Sequence, residues 1–366
     1  MSSVSRPSVL ALVVSAALAP SLIAQAPEFR IRPADANLAH EFTRIGSVRE
    51  LADGRLLIGD DDAILIADLR SGAVRRIGVS GSGPLEYRDV QSLIPLADDT
   101  TLMADASNRR LLFLHGDRIV RVTPVNDSAF AQLGSALLGA DARGRVLAKR
   151  QVAAPGFTAP RMRNGAAFVR LDRRAMTVDT IAVGKGMEME VSPVGPPERK
   201  SYRTMTVVLA VEDPALLFAD GWIAVGRQEP YRIDWYPPTG SPRLGAPIEG
   251  DPPRVTDAEQ ADWRRRAEEF SGKPLPPAFA TLPFAESVPP FFGDLFALPD
   301  GRVLVARHPW SGSRGTELDV VDRRGARVGR LRLPANERVV GSGRAALYVV
   351  ARDEDGIERL SRRPLP

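Results

Sequence analysis

Between Gly293 and Pro334 the chain writes four short apolar runs, at 294–298, 302–307, 316–322 and 327–333. Asp300-Gly301 separates the first pair and Arg323-Arg324-Gly325 the last. Asp-Gly between apolar runs predicts a type I′ hairpin turn, in which both central residues carry positive φ. Four strands in a meander make one sheet with two apolar faces. A sheet of that size cannot bury both faces by itself, so it has to lie between similar sheets. This requirement constrains the fold more than anything else in the sequence.

Degenerate copies of the same unit run along the rest of the chain. One spans 47–77, with turns at Asp53-Gly54 and Ser71-Gly72. Others span 90–123, 136–183 and 216–245, the last around Asp220-Gly221. A sixth, 338–363, ends one strand short. Segment 40–45 is a spare strand, and its ending Arg44-Ile45-Gly46 repeats the Arg76-Ile77-Gly78 that closes the first copy. Pairing 40–45 with 357–363 completes a ring and removes two open sheet edges, which are aggregation hazards. A period of roughly 40–50 residues with four strands each is the propeller pattern. The expectation is an all-β, six-bladed β-propeller, closed by an N-terminal strand, in a single domain over 27–366.

The 366-residue chain has no cysteine, which excludes disulfides, thiolate metal sites and a cysteine nucleophile. The formal net charge is only +4, and acids and bases are interleaved rather than blocked. No basic stripe of the kind that binds nucleic acid is present. Arg6 precedes a small, apolar run at 9–24, followed by Ala24-Gln25-Ala26. That is the pattern of a secretory signal peptide, assigned to 1–26. The protein is therefore expected outside the cytoplasm, periplasmic or extracellular, with no membrane span after cleavage.

One helix interrupts the strands, at about 256–271. Thr256 and Glu259 form the capping-box pattern, in which Glu reaches back to the Thr amide. Trp263, Ala267 and Phe270 share a face that would pack on the propeller, and Gly272 and Pro274 stop the helix.

In a propeller, the first-to-second and third-to-fourth strand turns share one face. Here these are tight. The opposite face receives the insertions 151–165, 185–204, 246–290 (with the helix) and 308–315. Long loops tend to carry function, so the working surface is placed there. Aligning the second strands puts Asp60, Asp105, Arg150, Arg227, Arg307 and Arg352 at equivalent ends on this face. Like charges at about 8 Å in water repel by only about 0.5 kcal/mol, so a solvated rim explains the arginines. An anion site is the sharper reading, since guanidinium forks match carboxylate, phosphate or sulfate.

Other motifs are weaker. The loop Gly81-Ser82-Gly83-Pro84-Leu85-Glu86-Tyr87 leads into a strand, not a helix, which argues against a phosphate cradle. Glu86 or Arg88 would line the axial channel. Asp60-Asp61-Asp62 and Asp353-Glu354-Asp355-Gly356 are acidic turns. No cofactor is expected, and calcium is the metal such oxygens would admit. Among three histidines, His308 beside Trp310 in a long loop is the one to watch. Tyr231-Arg232-Ile233-Asp234-Trp235-Tyr236 places Tyr231, Ile233 and Trp235 on one side, either as core or as a stacking platform for a sugar.

The 81–87 loop resembles the G-x-G-P-G-E-F loop of NHL-type six-bladed propellers, with Leu85 in place of a glycine. The run Tyr231–Trp235 and the C-terminal pattern from Pro289-Pro290-Phe291 to Asp353–Glu358 resemble an exported bacterial propeller family, TolB-like in architecture, of unknown function. The resemblance implies fold and export but no catalytic residues. The expectation is a non-catalytic propeller that binds a small molecule, glycan or protein partner on its long-loop face. The alternative is a metal-dependent hydrolase, lactonase or lyase with its site at the axis.

Overall fold

The computed structural model describes residues 27–366 except 91, 125–135, 155–159, 173, 196–200, 251, 312, 314 and 366. The expected signal segment and its cleavage site lie outside the described residues.

Six sheets stand around an axis. Blade one comprises Ile45–Glu50, Leu56–Asp60, Ala63–Ala67 and Val74–Ile77. Blade two comprises Ile94–Pro95, Thr100–Asp105, Arg110–His115 and Arg118–Pro124. Blade three has five strands, Ala136–Ala140, Val146–Val152, Arg161–Asp172, Thr177–Val194 and Ser201–Thr206. Blade four has Ala215–Leu217, Ile223–Gln228 and Tyr231–Tyr236, with a single bridge from Trp235 to Arg243 where the outer strand would be. Blade five has Phe291–Ala297, Val303–Arg307, Thr316–Val321 and Arg327–Leu333. Blade six has Glu337–Ser342, Ala346–Arg352 and Glu358–Pro364.

The second strands read as unbroken apolar runs because both faces of each sheet are covered. Leu57 points into the core shared with blade two, while Leu56 and Ile58 point into the core shared with blade six. Each pair of neighbouring blades encloses one such core. Fully burying one of these aliphatic side chains is worth about 1.5–3 kcal/mol, so blade-to-blade packing dominates the stability of the ring.

Closure follows the expected principle with a shifted register. Ala36–Asn37 pairs antiparallel with Arg362 and Ser361 of the last strand, and Phe42 bridges to Glu358. Ile45, expected to end the closing strand, instead starts the innermost strand of blade one, opposite Asp60. The reason is the carboxylate of Glu358, which is almost fully buried and accepts from the Ile45 amide at 2.6 Å and from Arg338 Nη2 at 2.8 Å. The chain leaves blade six at that point. Upstream, Glu28–Phe29 adds a parallel fifth strand to blade five, opposite Arg330 and Leu331.

The Asp-Gly turns differ from the expected type. Only the glycine is left-handed: Gly54, Gly221 and Gly301 have φ of 88°, 90° and 86°. The carboxylate just before the glycine accepts from the residue just after it. Asp53 takes the Arg55 amide at 2.9 Å and Nε at 2.7 Å, and Asp300 takes those of Arg302 at 3.0 and 2.7 Å. These are type I turns followed by a glycine bulge. A pair of positive φ values does occur at Asp98 and Asp99, 55° and 53°.

On the opposite face, two expected loops of blade three are largely strand. Arg161–Asp172 and Thr177–Val194 run far beyond their blade as a hairpin arm, edged by Ser201–Thr206. The insertion between blades four and five holds the helix, Asp257–Ser271, capped by Thr256 and ended by left-handed Gly272. Trp263 meets Phe284 edge-on at 5.7 Å over a satellite core with Val208, Leu209 and Val288. The capping box is half formed. Thr256 Oγ1 accepts from the Glu259 amide, but the buried Glu259 carboxylate turns to Ser311 instead, accepting from its amide at 2.9 Å and from its hydroxyl. A charged acceptor in a buried spot goes to the donors of the loop packed against it.

Replacing Glu358 with Ala strips the Ile45 amide and Arg338 of their acceptor. Stability should fall by about 2–3 kcal/mol, read from denaturant midpoints. A loss below about 0.5 kcal/mol would show that closure does not depend on this carboxylate.

Candidate functional site

The long-loop face holds a cavity of about 660 Å³ between the blade four–five insertion and the 308–315 loop of blade five. Prolines build its walls: Pro252 and Pro253 on one side, Pro289 and Pro290 at the entry to blade five, and Pro309 in the loop. Trp310 stands at its edge, 44% exposed. The polar floor is Arg307, His308, Glu317 and Arg332. Such walls cost little to order, because proline and tryptophan lose few rotamers on binding.

The loop is held from the helix side. Glu259 grips Ser311, and Arg266 Nη1 donates to the Pro309 carbonyl at 3.0 Å. His308 is enclosed beneath the helix. Burial lowers its pKa to about 4; Arg266 pushes the same way and Asp262 weakly opposes. The imidazole is therefore neutral at physiological pH.

Each cation of the floor has its anion. Arg307 Nη1 donates to Asp319 Oδ2 at 3.2 Å, and the guanidinium lies 5.3 Å from the Tyr231 ring. Asp319 is wholly buried and also accepts from the Tyr231 hydroxyl at 2.9 Å and from Arg330 Nε at 3.2 Å. Arg332 Nε donates to Glu317 at 3.0 Å, and its Nη1 lies 3.4 Å from Glu28 Oε1. The pocket is thus close to electrically neutral, with polar atoms set into rigid apolar walls.

Of the residues singled out from sequence, Arg307, His308 and Trp310 come together here. The others serve elsewhere. Asp60 is buried and accepts from the amides of Arg44 at 2.6 Å and Thr43 at 3.3 Å, so it fixes the entry to blade one. Asp105, wholly buried, accepts from the amides of Arg88 and Asp89, from Asn108 Nδ2 at 2.8 Å and from Arg110 Nε at 3.1 Å. Arg227 is held on four sides: Asp234 at 2.8 Å, Asp213 at 2.9 Å, the Val183 carbonyl at 2.8 Å and the Tyr236 hydroxyl at 3.1 Å. Burial works against its charge, but the bonds to Asp234 and Asp213 outweigh it and raise its pKa. Arg352 donates to the Glu269 carbonyl in the last turn of the helix, at 3.2 Å. Arg150 is exposed, across from Ala167 in its sheet.

The glycine loop folds on itself. Glu86 accepts from the Gly83 amide at 2.6 Å, and Arg110 gathers the carbonyls of Ser82, Gly83 and Glu86. Carbonyls turned toward an arginine leave no amide nest for phosphate. Arg88 is exposed beside this loop. Tyr231, Ile233 and Trp235 are buried between blades four and five, which makes them core rather than a stacking platform. The acidic turns are paired too, Asp61 with Arg44 and Asp353 with the Ile357 amide. Among the described residues no three His, Asp or Glu side chains converge to hold a metal.

Arg332 and Glu317 escaped the sequence reading, although pairing the last two strands of blade five sets them directly opposite. The Pro-Pro pairs at 252–253 and 289–290 flank the long insertion and could have marked the pocket.

At the axis, one aliphatic residue from each blade lines a second cavity of about 700 Å³: Val48, Ile94, Leu138, Leu216, Leu295 and Val340. Acids occur at its rim on the tight-turn face, already paired: Glu50 with Arg344, Asp99 with Arg49 and Asp220 with Arg323.

The chain is thus a six-bladed, all-β propeller with a neutral, proline-walled pocket on its long-loop face. No protein-family model and no curated protein matches the sequence. Solved structures do. An exported protein of Bacteroides fragilis is 12% identical, over 93% of this chain and 99% of its own, with a TM-score of 0.47. Virginiamycin B lyase of Staphylococcus aureus is 9% identical, over 89% and 97%, with a TM-score of 0.41. U3-55K is 11% identical, over 90% and 98%, with a TM-score of 0.42. Likeness at this level transfers no residue, ligand or activity.

Arg227→Ala leaves the buried carboxylates of Asp213 and Asp234 without their shared counter-charge, which should cost about 3–5 kcal/mol in a denaturant titration. A loss under about 1 kcal/mol would mean that solvent reaches them. For His308, the unfolded chain binds a proton below about pH 6.5, whereas the folded chain resists it down to about 4. Stability should therefore fall as pH drops through that window. His308→Gln should flatten this slope, and identical pH profiles for the two proteins would contradict the assignment.

Proposed function

We propose that this protein is an exported, non-catalytic binding propeller that holds a glycan or a glycan-bearing partner in the pocket beside Trp310. The observation that carries the reading is the pairing of an exposed indole with arginine–carboxylate pairs inside walls of proline. A sugar ring offers one apolar face for the indole and hydroxyls for the paired polar groups. A multiply charged anion fits less well, because Asp319 and Glu317 already neutralise Arg307 and Arg332. A singly charged sugar acid remains compatible.

Export is supported by Arg6 and the apolar run 9–24 ahead of Ala24-Gln25-Ala26. No helix among the described residues is long and apolar enough to cross a membrane. The aliphatic walls of the axial cavity favour binding over hydrolysis at a metal on the axis, which would call for converging carboxylates.

Wild-type protein on an array of neutral and acidic oligosaccharides should bind a subset. Losing the stacking contact in Trp310→Ala should weaken that binding about tenfold, equivalent to about 1.4 kcal/mol, and Arg307→Ala should weaken it as well. Retained affinity in both variants, or no bound glycan at all, would sink this reading.

A further inference from the structure

The enclosed carboxylates of this molecule share a habit. Asp60, Asp105, Asp213, Asp234, Asp319 and Glu358 each accept two or more hydrogen bonds from amides, hydroxyls or arginines. Asp294 does not. It makes no hydrogen bond or ion pair with another described residue, although protein crowds it closely enough to push its carboxyl above the usual aspartate range. The charge bearing on it is Arg338 of blade six, which opposes that shift. Arg338 is itself committed, to both oxygens of Glu358 at 2.8 and 2.9 Å and to the Ile45 carbonyl at 2.8 Å. The charge of Asp294 therefore has no counter-ion of its own.

Its position is specific. Asp294 lies on the innermost strand of blade five, one residue before Leu295, which lines the axial cavity. One residue of strand is about 3.3 Å of rise, so the Asp294 backbone follows directly on the inner end of that cavity along the strand. A break in register between Phe291 and Leu295, with Gly293 at φ 84°, takes this residue out of the ladder. Bulges of this kind re-aim side chains beside functional sites. The side chain is open to solvent.

From the aliphatic cavity and the single unmatched carboxylate at its end, we infer that the axial channel binds an organic cation. The ammonium group sits at Asp294 and the apolar body lies against Leu138, Leu216, Leu295 and Val340. An aliphatic acid would meet like charge at the same point, and a bare inorganic cation would leave the apolar walls uncovered. A cavity of about 700 Å³ is ample for such a molecule. This site is distinct from the Trp310 pocket and does not depend on it.

Hexylammonium is a suitable probe, followed by calorimetry on the whole protein, with hexanol and hexanoate as controls. Wild type should bind hexylammonium better than either control, and Asp294→Asn should weaken it about tenfold while leaving hexanol unchanged. The variant should melt as wild type does, because the carboxylate makes no bond to lose. Hexylammonium stays protonated through acid and neutral pH, so its binding should fade as pH drops and Asp294 takes up a proton, with no such fading in the variant. Equal affinity in Asp294→Asn, a preference for hexanoate, a pH-independent wild type, or no binding at about 10 mM probe would each overturn the inference. Trp310→Ala should leave this binding untouched.

Discussion

A four-stranded sheet that is apolar on both sides has to be covered on both sides, and a row of such sheets stops only when it meets its own beginning. That constraint governs the whole molecule. It explains why second strands such as Leu56–Asp60 are buried throughout, and why each interblade core draws alternate residues from two sheets. It also explains why one buried carboxylate, Glu358, carries so much. At the junction of last and first blades it ties the Ile45 amide, where the chain enters blade one, to Arg338 of blade six.

Charge in this protein is arranged around the same ring. The chain is rich in arginine, yet several of the guanidiniums that point inward are matched by buried acids. Arg227 sits between Asp213 and Asp234, and Arg307, Arg327 and Arg330 gather on Asp319. Desolvated carboxylates are tolerable only when so surrounded. Of the strand-end residues aligned in sequence, Asp60, Asp105, Arg227 and Arg352 serve as internal wiring: loop anchors, ion pairs and a helix cap. The side chains left for outside molecules are those with a face to spare, such as Trp310, or with no partner, such as Asp294.

Much of the architecture was legible because it rests on period. Recurrent apolar runs and Asp-Gly turns mark blades, and a missing strand at one end with a spare at the other marks closure. Register was less legible, since the pull of Glu358 on the Ile45 amide spans 313 residues. The hairpin arm of blade three was hidden because its outer half carries Arg163, Lys185, Glu188 and Glu190 where an apolar alternation would signal strand. The half-used capping box at Glu259 shows the same limit, as a local motif yields to a distant donor. In the candidate pocket, Arg307, His308 and Trp310 were readable from an oversized loop. Glu317, Arg332 and the proline walls needed strand pairing and the return of the insertion to define them.

The way Glu28–Phe29 and Ala36–Asn37 are used bears on how the chain comes into being. These residues are laid onto blade five and then blade six, far along the chain from them. Both segments can take their places only when strands about 300 residues further along the chain are available. Until then blade one is covered on the blade-two side only. Docking of these two segments therefore waits on the folding of blades five and six.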